Sequence, residues 1–361
     1  MTWIIAARRT AVAPVNGAFR RLLVQDLAAP VIRACLADAG LGSQDVDEVI
    51  LSNALGGGGN PARVAALAAG LPERVAGLSI DRQCVGGLDA ILLARALVES
   101  GAARIVVAGG AESYSRRPIR MATDPDGGPA MPYDRPAFTP FPDRDPDLHQ
   151  AAWHLAQRLG LTRAQMDAWA IASHAKALAA RSRLMAEIVP VADAVFDTFT
   201  RALSPALAAR APTLVGGISA ANAAVAADGA AFVIVADRPL GPNPLRIVAG
   251  QTHGSDPAEP GLAPVEAMAQ TLRAAGLPHM SLRIAEVMEA YAAQAMGCVA
   301  TAGLDPAIVN PDGGALARGH PIGASGAILA VGLFHGLMAG PGIAAIAAAG
   351  GLGTALIVER S

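Results

Sequence analysis

Apolar and polar positions along the chain fall into two regimes. Short runs such as EVILSNAL (48–55), ARIVVAGG (103–110) and AAFVIVAD (230–237) are almost continuously apolar, as in strands covered on both faces. Between them, LAAPVIRACLADAG (27–40) and DAILLARALVESG (89–101) repeat apolar residues at helical spacing, and each closes on a glycine, a common helix stop. Strands alternating with helices predict an α/β fold. From Ala324 to Val358 the chain is nearly uncharged and long enough to consider as a membrane span, but Gly340, Pro341 and Gly342 interrupt it. A buried helix, a turn and a buried strand are expected there instead.

The pattern changes between about 116 and 215. Prolines and aspartates accumulate, followed by an amphipathic helix, TRAQMDAWAIASHAKALAARSRL, whose Thr162 and Gln165 have capping-box spacing. An inserted lobe over a more apolar core is expected. The chain also echoes itself. LDAILLARALVESGAARIVVAGG (88–110) and SGAILAVGLFHGLMAGPGIAAIAAAGG (325–351) both run through a small-residue turn, a helix with an Ala-Ile-Leu run, and a strand ending in Gly-Gly. Two similar halves, packed so that the loops before these helices reach a shared site, would produce this echo.

Composition narrows the function. With 361 residues, 53% hydrophobic, the chain can bury a core for one large domain or two. Its 28 basic and 30 acidic residues are dispersed and nearly cancel, which leaves no footprint for nucleic acid or an acidic membrane surface. A small-molecule partner is expected. Cys35, Cys84 and Cys298 are odd in number and lack paired metal-ligand spacing, pointing to reduced thiols in the cytoplasm and no zinc site. The opening MTWIIAARRT places a short apolar run ahead of its arginines, the reverse of a secretory signal.

Cys84, in SIDRQCVGGLDA (79–90), falls between a short strand at 78–80 and a helix beginning near Gly87. A sulfur near a helix N-terminus meets partial positive charge that favours thiolate; the alternative is a small packed hydrophobe. The second half supplies a base. VNPDGGALARGHPIGASGA (309–327) is a glycine-dense loop that presents His320 ahead of the echoed helix. A histidine there can accept the thiol proton and support a developing oxyanion.

These segments, together with AARRTAV, NPARVAALAAGLP, IVVAGGAES and above all GGALARGHPIGASG, resemble the thiolase superfamily over nearly the whole chain. The resemblance implies a duplicated five-layer αβαβα fold. Its N-terminal domain would span 1–240, with the inserted loop domain at about 116–215, and its C-terminal domain 243–361. It further implies a homodimer or homotetramer acting on acyl-coenzyme A, with coenzyme A as substrate or product and no other cofactor. The residue matching Cys84 becomes acylated in such enzymes, and the one matching His320 activates it. Backbone N–H groups matching Cys84 and Ala349 form the oxyanion hole for that step.

Several positions depart from the family pattern. Where thiolases carry a second, proton-transferring cysteine, this chain has Ala347, Ala348 and Ala349. Met288, in MEAYAAQ, replaces the asparagine that orients an oxyanion-hole water, and a thioether cannot donate. Ala249 stands where a serine often contacts pantetheine, and LHQAAWH (148–154) replaces another substrate-facing segment. Claisen chemistry is therefore expected to be impaired or altered while acylation survives; the alternative is a non-turnover acyl-CoA-binding or partner subunit. His149 and His253 are candidate substitute acid/base groups, or merely surface residues. Cys35 and Cys298 read as packing, Glu289 beside Tyr291 as a possible buried acid, and GGGG at 56–59 as a turn or pocket rim lacking nucleotide-loop spacing.

Overall fold

A computed structural model describes all 361 residues. Nine strands form the framework: β1 (Thr2–Thr10), β2 (Glu48–Ser52), β3 (Ala76–Ile80), β4 (Ile105–Glu112), β5 (Ala227–Ala236), β6 (Leu245–Gly254), β7 (Ile284–Val287), β8 (Gly340–Ala348) and β9 (Leu352–Arg360). Eight helices matter for the site: α1 (Val24–Ala39), α2 (Pro61–Ala68), α3 (Gly86–Glu99), α4 (Leu148–Arg158), α5 (Arg163–Ala179), α6 (Ala263–Ala275), α7 (Ala292–Thr301) and α8 (Ile322–Gly336).

The strand order is β7-β8-β9-β6-β1-β5-β4-β2-β3. The two halves join through β1 and β6, paired over only Thr2, Trp3 and Ile4. In the first half β2 runs parallel to β3 and β4, and in the second β7 runs parallel to β8. Helices cross over between these parallel neighbours, as parallel pairing requires.

Strand residues alternate between cores. Ala231, Val233 and Val235 of β5 join Ala344, Ile346 and Ala348 of β8 in one cluster with α3 and α8. The intervening Phe232 and Ile234 face α1 and α2, while Ile343 and Ala345 face α6 and α7. Five layers result: outer helices, sheet, the α3/α8 pair, sheet and outer helices. The central strands β4, β5 and β8 are buried on both faces, which is why they read as apolar runs with no polar alternation.

The α3/α8 pair requires close approach. A Cβ on Gly87 would lie 2.5 Å from Ala327 N, and one on Gly326 would lie 2.5 Å from Leu88 N. Those separations are shorter than any real contact, so glycine at both positions lets the two helix starts touch.

The inserted segment forms its own small core around Ala156, Met166, Ala170 and Ile218, packed on Ala292 and Ala293 of α7. The expected capping box is present on α5: Gln165 N donates to Thr162 Oγ1 at 3.3 Å and Thr162 N donates to Gln165 Oε1 at 2.8 Å. A buried ion cluster ties this segment to β1, with Arg9 donating to Glu187 at 2.5 Å and to Asp197 at 2.6 Å. The expected helix, turn and strand at 324–358 is refined: α8 is followed by two strands, β8 and β9, because Gly350 and Gly351, both at φ 76°, permit a tight reversal. No helix is long and apolar enough to cross a membrane.

Candidate active site

Two loops converge at the start of the α3/α8 pair. After β3 the chain makes a 3-10 turn over Gln83–Val85 and enters α3 at Gly86. Gln83 takes a left-handed φ of 51°, uncommon for a non-glycine residue, and its backbone N–H donates to Asp81 Oδ1 at 2.9 Å. This bent step presents Cys84. On the other side Gly319, at φ 108°, turns the chain so that His320 N donates to Val225 O at 2.8 Å.

His320 Nε2 lies 3.1 Å from Cys84 Sγ. Its Nδ1 lies 2.6 Å from Ser325 Oγ, and Ser325 Oγ donates to Pro321 O at 3.3 Å. With the serine hydrogen spent on that carbonyl, its oxygen accepts Nδ1–H, and Nε2 is left bare toward the thiol. Burial lowers the His320 pKa to about 4. Burial also pushes the Cys84 thiol up to about 12, reinforced by Glu112 and Asp81 and opposed by its own backbone N–H. The direction at Cys84 runs against a helix-stabilised thiolate, because burial raises the thiol pKa where a helix terminus would lower it.

Buried carboxylates hold the two loops. Glu112 accepts from Asn53 Nδ2 at 2.6 Å, Ala54 N at 3.0 Å and Gly323 N at 3.1 Å, joining the loop after β2 to the first turn of α8. Burial raises its pKa to about 7, against the opposing effect of those backbone donors. Asp89, buried in the first turn of α3, receives Thr252 Oγ1 at 2.6 Å, Thr354 Oγ1 at 2.8 Å and Arg82 at 2.8 Å. Glu289 accepts from Trp169 Nε1 at 2.9 Å, Ser173 Oγ at 2.7 Å and Asn310 Nδ2 at 3.0 Å. It is indeed a buried acid, and it clamps α5 to the loop that leads into His320.

Cys84 and His320 open on a cavity of about 120 Å³, otherwise walled mainly by small and apolar groups that include Leu148, Ala151, Leu155 and Ala347–Ala349. The β8–β9 ladder ends at Ala348–Leu352, so Ala349 lies just beyond its last pair. The cavity shares Leu148 and Tyr291 with a larger outer cavity of about 380 Å³ that Arg117, Arg120 and Arg135 line.

The full chain, with the family's loop chemistry in this geometry, matches two family models: Thiolase, N-terminal domain, over residues 2–239, and Thiolase, C-terminal domain, over residues 243–360. This chain belongs to the thiolase family. An acetyl-CoA acetyltransferase of Cupriavidus necator is 37% identical, with 99% of this chain and 98% of the relative covered. One of Pseudomonas aeruginosa is 38% identical over the same shares. The crystal structure of an Ascaris suum thiolase in complex with coenzyme A matches with a TM-score of 0.92 at 30% identity, covering all of both chains.

Not every residue singled out from the sequence reaches the cavity of this thiolase. Cys84, His320 and the Ala347–Ala349 run do. Met288 does not: it is 2% exposed and packs in the central core, its N–H donating to Ala345 O at 2.9 Å. Ala249 is likewise buried within β6 opposite Ile357 and does not line the cavity. His253 is exposed on β6, whereas His149 Nδ1 lies 2.9 Å from the Tyr291 hydroxyl. Cys35 and Cys298 are buried, pairing with Phe232 O and Gly261 O. The glycines at 56–59 rim a shallow cavity with Asn53 and Arg116. Ser325, Glu112 and Asp89 were missed. Ser325 lies within the histidine motif and Glu112 within IVVAGGAES, so only their roles were hidden.

Proposed function

We propose that this protein is a cytoplasmic acyltransferase that moves an acyl group from coenzyme A through a thioester on Cys84. The observation that carries this reading is the 3.1 Å contact between Cys84 Sγ and an unprotonated His320 Nε2 at an apolar cavity. As the acyl carbonyl arrives, sulfur bonds to carbon while its proton passes to Nε2. The resulting oxyanion is received by backbone N–H groups of Cys84 and Ala349, and donors placed at a developing charge are usually the largest single catalytic term. His320 then returns the proton to the departing coenzyme A thiolate. Arg117, Arg120 and Arg135 in the outer cavity suit the coenzyme's phosphates.

The division into 1–240 and 243–361, with about 116–215 inserted, gives each part a task. The first half supplies the nucleophile, the second the base, and the insert covers the acyl cavity through α4. A homodimer or homotetramer is the expected assembly. Ala347 lacks any proton-transferring group, and loss of a general base costs about 10²- to 10⁴-fold, so any Claisen or thiolysis step relies on another group.

Intact mass after incubation with acetyl-CoA and longer acyl-CoAs tests the reading. An adduct absent from Cys84→Ala is expected, and no adduct with any donor would sink it. A second reading, an acyl-CoA-binding or partner subunit without turnover, is favoured by the apolar Ala347 on the cavity wall. It predicts a Cys84 unreactive toward both thioesters and mild alkylating agents.

A further inference from the structure

Among the side chains on the inner cavity, only Cys84, His320 and Tyr291 can exchange a proton. Gln294, the remaining polar one, is an amide whose Oε1 accepts from Ala290 N at 3.1 Å. Cys84 and His320 are committed to each other, which leaves Tyr291. It lies on the wall between the cavities and lines both, while His149 lines only the outer one. The Tyr291 hydroxyl and His149 Nδ1 are 2.9 Å apart, with the rings edge-on at 5.6 Å and 87°.

Both partners are fixed. Tyr291 forms a backbone bridge to Ala223 and stands at the start of α7. His149 sits in the first turn of α4, where Asp147 Oδ1 accepts its backbone N–H at 2.9 Å. We propose that Tyr291 and His149 are a second proton-transfer centre: the Tyr291 hydroxyl protonates the carbanion released when a 3-ketoacyl thioester is cleaved, and His149 replenishes it from the outer cavity. Burial, then Asp147 and Cys84, hold the tyrosine above its ordinary pKa, so the hydroxyl keeps its proton and acts as a donor.

This deepens the acyl-enzyme reading and rests on it. Cys84 sulfur, passing its proton to His320, bonds to the ketone carbon. Collapse of that adduct breaks the bond between the ketone carbon and the carbon next to the thioester, leaving the electron pair on the latter. The Tyr291 proton moves to that carbon, and protonated His149 returns a proton to the tyrosine oxygen. In the second half a coenzyme A thiol attacks the acyl group on Cys84. The thiol proton recharges the Tyr291–His149 pair, and Cys84 leaves with the proton held by His320. One proton leaves the pair and one returns in each turnover.

The test compares wild type, Tyr291→Phe and His149→Ala for acetylation of Cys84 by acetyl-CoA and for cleavage of acetoacetyl-CoA by coenzyme A. Tyr291→Phe should acetylate within about threefold of wild type yet lose roughly 100-fold or more in cleavage, the scale of a lost general acid. His149→Ala should lose cleavage too, and added imidazole should restore it, which a merely structural role would not allow. Equal cleavage by Tyr291→Phe, a wild type that acetylates but does not cleave, or no restoration by imidazole would each overturn the proposal. Absence of any Cys84 adduct in wild type would instead bring down the acyl-enzyme reading on which it rests.

Discussion

Replacing Ser325 with alanine isolates the device that sets the tautomer of His320. The serine oxygen receives Nδ1–H at 2.6 Å and is 3% exposed, so no water replaces it readily. In Ser325→Ala the imidazole has two choices. It can keep Nδ1–H unpaired in a buried site, at about 1 to 3 kcal/mol. Otherwise it adopts the other tautomer, in which Nε2–H donates to sulfur and no base faces the thiol. The reactive arrangement is disfavoured either way by about that amount, which at about 1.4 kcal/mol per tenfold slows Cys84 acylation roughly 5- to 150-fold. Rapid-quench mass spectrometry with acetyl-CoA measures the acylation rate directly. A rate within twofold of wild type, with the melting temperature unchanged, would refute the tautomer argument.

Four further outcomes follow from the same contacts. Because His320 is neutral above a pKa of about 4, acylation should stay flat from about pH 5 upward; a half-maximal rate near the ordinary histidine value of about 6.5 would contradict this. The same depression means the unfolded chain binds a proton that the folded chain refuses between pH 6.5 and about 4. Stability contributed by His320, complete above 6.5, is therefore lost as pH falls across that window, as urea midpoints over pH should record. Gly326→Ala should destabilise by about 1 to 3 kcal/mol, since its Cβ has nowhere to go against Leu88 N, and a wild-type-like melting temperature would contradict the close crossing. Arg9→Met leaves Glu187 and Asp197 buried without their cation, costing about 3 to 5 kcal/mol by denaturant unfolding.

The legible parts of the site were those that one local segment carries whole. The RQCVGGLDA and GGALARGHPIGASG loops contain both the chemical group and the glycines that let it be presented, and the structure brings Cys84 and His320 together across 236 positions. Met288 and Ala249 show what alignment leaves out, because it places a residue on an element without saying which face it occupies. Each turns its side chain into packed core, and the cavity wall is made by neighbours. His149 and His253 show the same limit: identical side chains in polar surroundings, one partnered at a cavity wall and one exposed on a strand.

By itself the sequence determined the α/β alternation and the internal echo, and it singled out Cys84 and His320 as a candidate pair. These depend on periodicity and short-range backbone chemistry, written in adjacent residues. Tertiary structure alone set the desolvation of the pair, which raises the Cys84 pKa and lowers that of His320. It also decided that Ser325 orients the base and that Tyr291 meets His149 across the cavity wall. Desolvation and long-range contact arise only when distant segments close around the same space, and no local pattern encodes which groups will share it.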